Sequence, residues 1–380
     1  MTKTVLGLPG TNFRCSRLPV CGRNNKTSLG DHNRTINNWR LNLESINFSR
    51  RQFARFAAMA ALAGVGASSF GASAAESGVE YFAGKTIKLI VPNPAGGTSD
   101  ILARILAPKL GEVLKATVII ENKPGATGNI GSEFVARATP DGYTLLLNDI
   151  GSLAIAPSVF PTLPFDPVKD FAPVILVAYS PHILAAHPSL AAKDAKELIA
   201  LAKAKPDGLN FAISGTGGAN HLAGIEFALR SGITWTYIPY KGGAQAIADV
   251  MAGQADVFFN GMVATYPAVK SGKLKALAIS SSKRFAAAPE VPTVAESAGL
   301  PGFETGSFQG IVAPAGTPAA VVNTLHASVA KILATPEMQE RLTKLGAESR
   351  PGSPAEFGRF IANEKARWAK VVKDSGVKFE

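Results

Sequence analysis

Cysteine is nearly missing from this chain of 380 residues: it has two, Cys15 and Cys21, both close to the start. Everything beyond them is therefore without a disulfide, a thiol nucleophile or a cysteine-ligated metal. Histidine is scarce as well. Of the five in the chain, His32 lies near the start, and His182, His187, His221 and His326 are scattered without H-E-x-x-H or another ligand spacing, which argues against a metal site. No apolar run approaches the about 20 residues a membrane span needs. There is no G-x-x-x-x-G-K-[ST] and no G-x-G-x-x-G with a ribose-binding acid behind it, which removes the common nucleotide folds. Gly306-Ser307-Phe308-Gln309-Gly310 does not fit G-x-S-x-G, and no Ser/His/Asp set stands out.

What is present first is an export signal. Ser49-Arg50-Arg51-Gln52-Phe53-Ala54-Arg55 precedes a short apolar run from Phe56 to about Val65 and then Ala72-Ser73-Ala74. Paired arginines, a modest apolar run and an A-x-A site read as a twin-arginine signal, residues 49–75, cleaved near Ala74. The protein is then exported and works in the periplasm. Residues 1–48 are either a long polar extension or a start assigned upstream of the real one; neither adds a folded domain. The leader also carries the charge. Residues 1–75 hold ten Lys+Arg and two Asp+Glu, so of the formal +11 only about +3 belongs to the remainder. That balance argues against a nucleic-acid partner.

The remaining 305 or so residues suffice for two domains. Short β-branched runs alternate with helical patterns, the signature of an α/β fold with largely parallel sheets. Strands are expected at Thr86–Val91, Thr117–Glu121, Tyr143–Asn148, Val174–Ala178, Asn210–Ser214, Asp256–Phe259 and Lys275–Ser280. Ile101, Leu102, Ile105, Leu106, Leu110 and Leu114 trace a helix that Pro108 should kink or divide. Helices dominate the end, at Ala319–Ala334, Pro336–Leu345 and Pro354–Ser375.

Three turns from strand to helix concentrate glycine and hydroxyl residues: Asn93 to Asp100, Asn122 to Gly131, and Ser214 to His221. Glycine lets backbone approach a ligand, and a helix N-terminus offers unpaired N–H groups with a partial positive charge. Such a terminus is a ready anion site; a tight capped turn with no ligand is the alternative. Three such loops at strand ends of one sheet system place a cleft where open α/β sheets bind ligands. A small carboxylate held by neutral donors fits that chemistry, and no cofactor is implied. An enzyme would need a base, for which Asp149, Asp256 and His221 are the candidates.

These segments in this order resemble the substrate-binding receptors of tripartite tricarboxylate transporters, the Bug or TctC-like proteins. The matching stretches include Val91–Arg104, Glu121–Gly131, Thr139–Leu147, Phe165–Val174, Gly215–Phe227, Tyr237–Phe259, Gly272–Arg284, Pro289–Leu300 and Ile311–Pro318. The resemblance implies a two-lobed Venus-flytrap periplasmic-binding-protein fold, a monomer with lobe 1 at 76–178 and 306–380 and lobe 2 at 179–305. The C-terminal helices would pack on lobe 1. It implies a non-enzymatic receptor that delivers a carboxylate to membrane permease subunits or, in some members, reports it to a sensor. Carried over, lobe 1 would bind through Asn93, Ala95, Gly96, Gly97, Thr98 and Ser99 and, opposite, Gly125, Ala126, Thr127 and Gly128. Lobe 2 would add Ser214, Thr216, Gly217, Ala219 and His221, with Tyr240, Lys241 and Gly242 on another turn.

Several positions depart from the family pattern and bear on ligand choice. Asn93 stands where an aromatic or apolar residue is usual, and Thr127 where glycine is. Ser152 is followed by Leu153 rather than histidine, and Asn260 replaces an aspartate found in some relatives. Asp149 is an unexpected acid, either a contact for a ligand amine or hydroxyl or a helix cap.

Overall fold

The structure is a computed structural model that describes residues 78–377. The arginine pair, the apolar run and the cleavage site lie outside the described residues.

Nine strands order the described chain: β1 Thr86–Val91, β2 Thr117–Asn122, β3 Thr144–Asp149, β4 Phe171–Ala186, β5 Asn210–Ile213, β6 Thr236–Pro239, β7 Val257–Gly261, β8 Lys275–Ile279 and β9 Gly306–Pro314. They hydrogen-bond in the order β2-β1-β3-β9-β4-β7-β5-β6, with β8 also on β4. The outer parts are parallel: β1 with β2 and β3 in the first half, β5 with β6 and β7 in the second. The middle is antiparallel. Strand β9 runs against β3 and β4, and β4 against β7 and β8. This is the α/β two-lobed architecture expected, with antiparallel strands between the parallel halves, of which β4 belongs to both.

Strand β4 is where the sequence misleads. Only Val174–Ala178 reads as strand, because Pro173 and Pro181 look like breaks, yet β4 runs unbroken to Ala186. Its register slips near Pro173 and again between Leu176 and Ala178; such bulges are where a sheet accommodates proline. From Phe171 to Pro181 it pairs with β9, and from His182 onward with β7 and β8, so one strand serves both halves.

Helix α1 spans Val79–Phe82 and α2 Thr98–Leu114. Leu102, Ile105, Leu106, Leu110 and Leu114 are buried at helical spacing against β1 and β3 residues Leu89 and Leu147. Pro108 sits inside α2 without dividing it; the cost is the one bond its missing N–H would have made. Next come α3 Asn129–Ala136, α4 Ile150–Val159, α5 Ala195–Ala204, α6 Ala219–Ser231, α7 Gly243–Met251, α8 Met262–Lys270 and α9 Val294–Ala298. The closing helices α10 Ala319–Leu333, α11 Pro336–Lys344 and α12 Pro354–Ser375 match their expected ranges within a residue. Their packing does not stop at the first half. Trp368 of α12 is buried in one apolar cluster with Ile155 and Val159 of α4 and with Leu222 and Ile225 of α6. The apolar stripe of α12 thus spans elements of both halves, because α4 and α6 lie side by side at their boundary.

Candidate functional site

The carboxyl ends of the strands lead into helices whose N-termini converge on one cavity of about 80 Å³. Four termini meet there: α2 behind Gly97, α6 behind Gly218, α7 behind Gly242 and α8 behind Gly261. All four N-cap residues are glycine, and none supplies a side-chain cap. The partial positive ends of four helices therefore face one small space, although two first-turn N–H groups are already taken, Val263 N–H by Ser180 Oγ at 3.2 Å and His221 N–H by Asn220 Oδ1 at 3.0 Å. Hydroxyl and amide side chains complete the wall: Thr98, Ser99, Thr127, Ser214, Asn220, Asn260 and Ser307. No lysine or arginine is among the residues that line it. Such a space attracts an anion through dipoles and neutral donors.

Each loop is clamped from behind. Asp100 is almost fully buried and accepts from Gly96 N–H at 2.9 Å, Arg104 Nε at 2.9 Å and Asn122 Nδ2 at 3.1 Å. Burial alone would raise its pKa; the bonds from Arg104, Gly96 and Asn122 outweigh that and hold the carboxyl below its ordinary range. Asn122 also donates to Asn93 O at 3.0 Å, and Asn93 Nδ2 donates to Ser99 Oγ at 3.3 Å, so the first loop cannot drift from α2. In the second loop Ser132 Oγ donates to Gly128 O at 2.9 Å. In the third, Gly217 N–H donates to His221 Nδ1 at 3.0 Å, and Asn220 Nδ2 donates to Ser214 Oγ at 2.5 Å.

The halves touch across the cavity. Thr127 Oγ1 donates to Thr216 O at 3.0 Å. Gly242 lies so near Pro94 that an added Cβ would come within 2.9 Å of its ring, and one at Gly261 within 2.5 Å of Thr98 Oγ1. Thr127 makes its contact from a left-handed backbone, φ 55°, directly after Ala126 at φ 45°. A β-branched residue there is strained.

Of the expected positions, Asn93, Gly97, Thr98, Ser99, Thr127, Asp149, Ser214, Ala219, Gly242 and Asn260 line the cavity. The others do not. Ala95, Gly96 and Ala126 face solvent, Gly125 and Gly128 shape the second loop with positive φ, and Thr216 contributes its carbonyl to Thr127. Gly217 and His221 bond each other behind the third loop, with the His221 ring edge-on to Tyr237. Tyr240 is half-buried in the packing around α7, and Lys241 is exposed with its N–H on Gln245. Ser152 lies in α4, and its side chain is outside the described residues.

Asp149 turns out to be both lining and cap. Its Oδ1 accepts Gly151 N–H at 2.9 Å at the start of α4, and its Oδ2 accepts Ser307 Oγ–H at 2.7 Å. The sequence reading missed His182, Ser307 and Gln309, which reach the cavity from the long strands β4 and β9. The available signal was polar residues at period two in otherwise apolar strands, Ser180/His182 and Ser307/Gln309. Burial, with Arg367 nearby, pushes the His182 pKa down to about 3, and burial pushes His221 down to about 4, so both rings are neutral.

A model of the tripartite tricarboxylate transporter family receptor matches residues 102–377. Protein BugT of Bordetella pertussis is 35% identical over 308 residues, which cover 81% of this chain and 94% of BugT. Among solved structures, R. palustris Rpa4515 with adipate superposes with a TM-score of 0.75 at 35% identity, covering 77% of this chain and 98% of that one. MatC from Rhodopseudomonas palustris with bound malate does so with 0.72 at 34% identity, over 76% and 99%.

Proposed function

The chain belongs to the receptor family of tripartite tricarboxylate transporters, and on that basis we propose that it captures one small carboxylate between its two halves and hands it to membrane permease subunits. The family is one of periplasmic solute-binding receptors, not enzymes. Export by the paired arginines with cleavage near Ala74 fits that setting, as do lobes at 76–178 with 306–380 and at 179–305.

The observation that carries the reading is the convergence of four glycine-led helix N-termini, none capped by its own N-cap residue, on a cavity without a lysine or arginine side chain. A carboxylate that loses its water needs several charge-assisted hydrogen bonds in return. Backbone N–H groups behind Gly97, Gly218, Gly242 and Gly261, with Thr98, Ser99, Ser214 and Asn220 beside them, are the proposed donors. A partly open space of about 80 Å³ suits a small ligand, since drug-sized ligands occupy roughly 300–1,000 Å³. Because donors come from both halves, the ligand is fully satisfied only when they close, and it stabilises the closed state by that difference in affinity. The relatives with adipate and malate bound support the same ligand class.

Melting scans of the purified protein against a panel of carboxylates test this. A ligand at 100 times its Kd should add about 2.7 kcal/mol of stability, a rise of a few degrees in Tm. A panel still flat after unfolding, dialysis and refolding would contradict the proposal.

A further inference from the structure

His182 stands where β4 changes partners. Up to Pro181 the strand pairs with β9, and from His182 onward with β7, where the opposite residue is Gly261, the N-cap of α8. The His182 peptide is committed to the sheet: its N–H donates to Thr305 O at 3.5 Å and its carbonyl accepts Ser280 N–H at 2.9 Å. The ring differs. It lines the cavity in a residue only 2% exposed, and its Nδ1 lies 3.0 Å from Thr305 Oγ1, while Nε2 has no hydrogen-bond partner among the described residues. Its neighbours on the wall built by the long strands are already engaged. Ser307 has one hydroxyl proton and gives it to Asp149 at 2.7 Å, and Gln309 turns its amide nitrogen to Ser307. Gln309 Oε1 is sealed in protein; His182 Nε2 is not. A polar atom in so buried a residue is matched only when something in the cavity pairs with it.

A histidine beside a hydroxyl can divide the proton in two ways. Either Nδ1–H donates to Thr305 Oγ1 and Nε2 is an acceptor, or the Thr305 hydroxyl donates to Nδ1 and Nε2–H is a donor. Thr305 Oγ1 has no other hydrogen-bond partner among the described residues, so the protein by itself permits both. A carboxylate permits one, because its oxygens only accept. We propose that the Nε2–H of a neutral His182 donates to the bound carboxylate, with the Thr305 hydroxyl holding that tautomer from behind. His182 is then a ligand contact and Thr305 a positioning residue. The contact joins the ligand to the strand that both halves share. Burial pushes the ring pKa down to about 3, so the donor is the same throughout the neutral range. The inference rests on the carboxylate-receptor reading and deepens it.

Calorimetric titration with malate, succinate, adipate, citrate, benzoate and aspartate finds the tightest of these for the unsubstituted protein, and that probe is carried through the variants. His182→Asn keeps an amide nitrogen beside Thr305 but puts nothing at Nε2, and should weaken Kd about tenfold or more. His182→Gln carries an amide nitrogen out to the position of Nε2 and should recover most of the affinity. Thr305→Val, of the same shape, should weaken binding a few-fold by releasing the tautomer. A packing role alone would make the Asn and Gln variants equally poor. In the unsubstituted protein, nitrogen–proton NMR correlations of isotope-labelled histidine should show a protonated Nε2 and a bare Nδ1 for His182 with the probe bound; this readout stands even where a variant folds badly. A His182→Asn protein that binds as tightly as the original, a Gln variant no better than Asn, or a bound-state proton on Nδ1 would overturn the inference and leave the receptor reading standing. Silence toward every probe would overturn the receptor reading and this inference with it.

Discussion

Apart from α1, α3 and α10, whose N-caps Gly78, Gly128 and Pro318 supply no side-chain bond and lie outside the cavity lining, the helices of this protein begin in two ways. Away from the cavity, α5, α9, α11 and α12 start behind Asp194, Thr293, Thr335 and Ser353, each of which accepts a first-turn N–H with its own side chain. Thr293 and Ser353 form full capping boxes with Glu296 and Glu356. Around the cavity, α2, α6, α7 and α8 start behind glycine with no side-chain cap. A cap contributes about 1 kcal/mol, so the chain forgoes that stabilisation at the four helix starts that face one space and keeps it at these four elsewhere. Helix α4 is the instructive exception: it faces the cavity yet is capped by Asp149, and its terminus is accordingly not one of the donors.

The sharpest way to break the comparison is to give a cavity helix a cap. Gly97 has φ −78° and ψ 170°, the extended geometry of an ordinary N-cap, and an added Cβ there would meet nothing nearer than 3.5 Å. Gly97→Asp should cap α2, hold or raise Tm without ligand, and weaken carboxylate binding about a hundredfold, roughly 2.7 kcal/mol, measured by calorimetry. Thr127→Gly comes next. It removes the bond from Thr127 Oγ1 to Thr216 O, which exists only when the halves meet, and should cost about 1 kcal/mol of affinity, roughly fivefold in Kd. Relief of its left-handed strain keeps Tm from falling in step. At a remote helix the pattern should reverse: Ser353→Ala should lower stability by about 1 kcal/mol in denaturant melts while the Kd stays unchanged.

The last prediction concerns pH and separates stability from affinity. His182 and His221 have folded pKa values of about 3 and about 4, below the unfolded value near 6.5. The unfolded chain therefore takes up protons first as pH falls, so stability is full above about 6.5 and declines below it toward 3. Affinity, by contrast, should be flat from pH 6 to 8, because neither ring changes charge in the folded protein; titrations at both ends of that range check it.

How far these features could be read in advance follows from how local their causes are. Strand β1 and helix α2 are set by neighbouring residues, an apolar run and a 3.6-residue stripe, and the glycine loops between them are visible for the same reason. The roles within a loop are not: Gly97 lines the cavity and Gly96 does not, a distinction fixed by the Asp100 and Asn122 clamp from 22 residues away. Strand β4 and the cavity residues His182, Ser307 and Gln309 depend on pairing between segments far apart in sequence, Phe171–Pro181 with Gly306–Pro314, so the polar residues at period two were a local hint whose meaning only that pairing reveals. Asp149 drew notice as a departure from a family pattern and as a candidate base, and its double role emerged from the contact with Ser307, 158 positions away.

The most direct test of the account is to watch backbone amides during a carboxylate titration by heteronuclear NMR. The largest proton shifts should fall on Thr98, Ser99, Ala219, Asn220 and Gly243, while the capped first turns of α5 and α12 stay still. Shifts confined to the rim around Lys241, or spread evenly over capped and uncapped helix starts, would contradict the claim that the glycine-led termini are held open for the ligand.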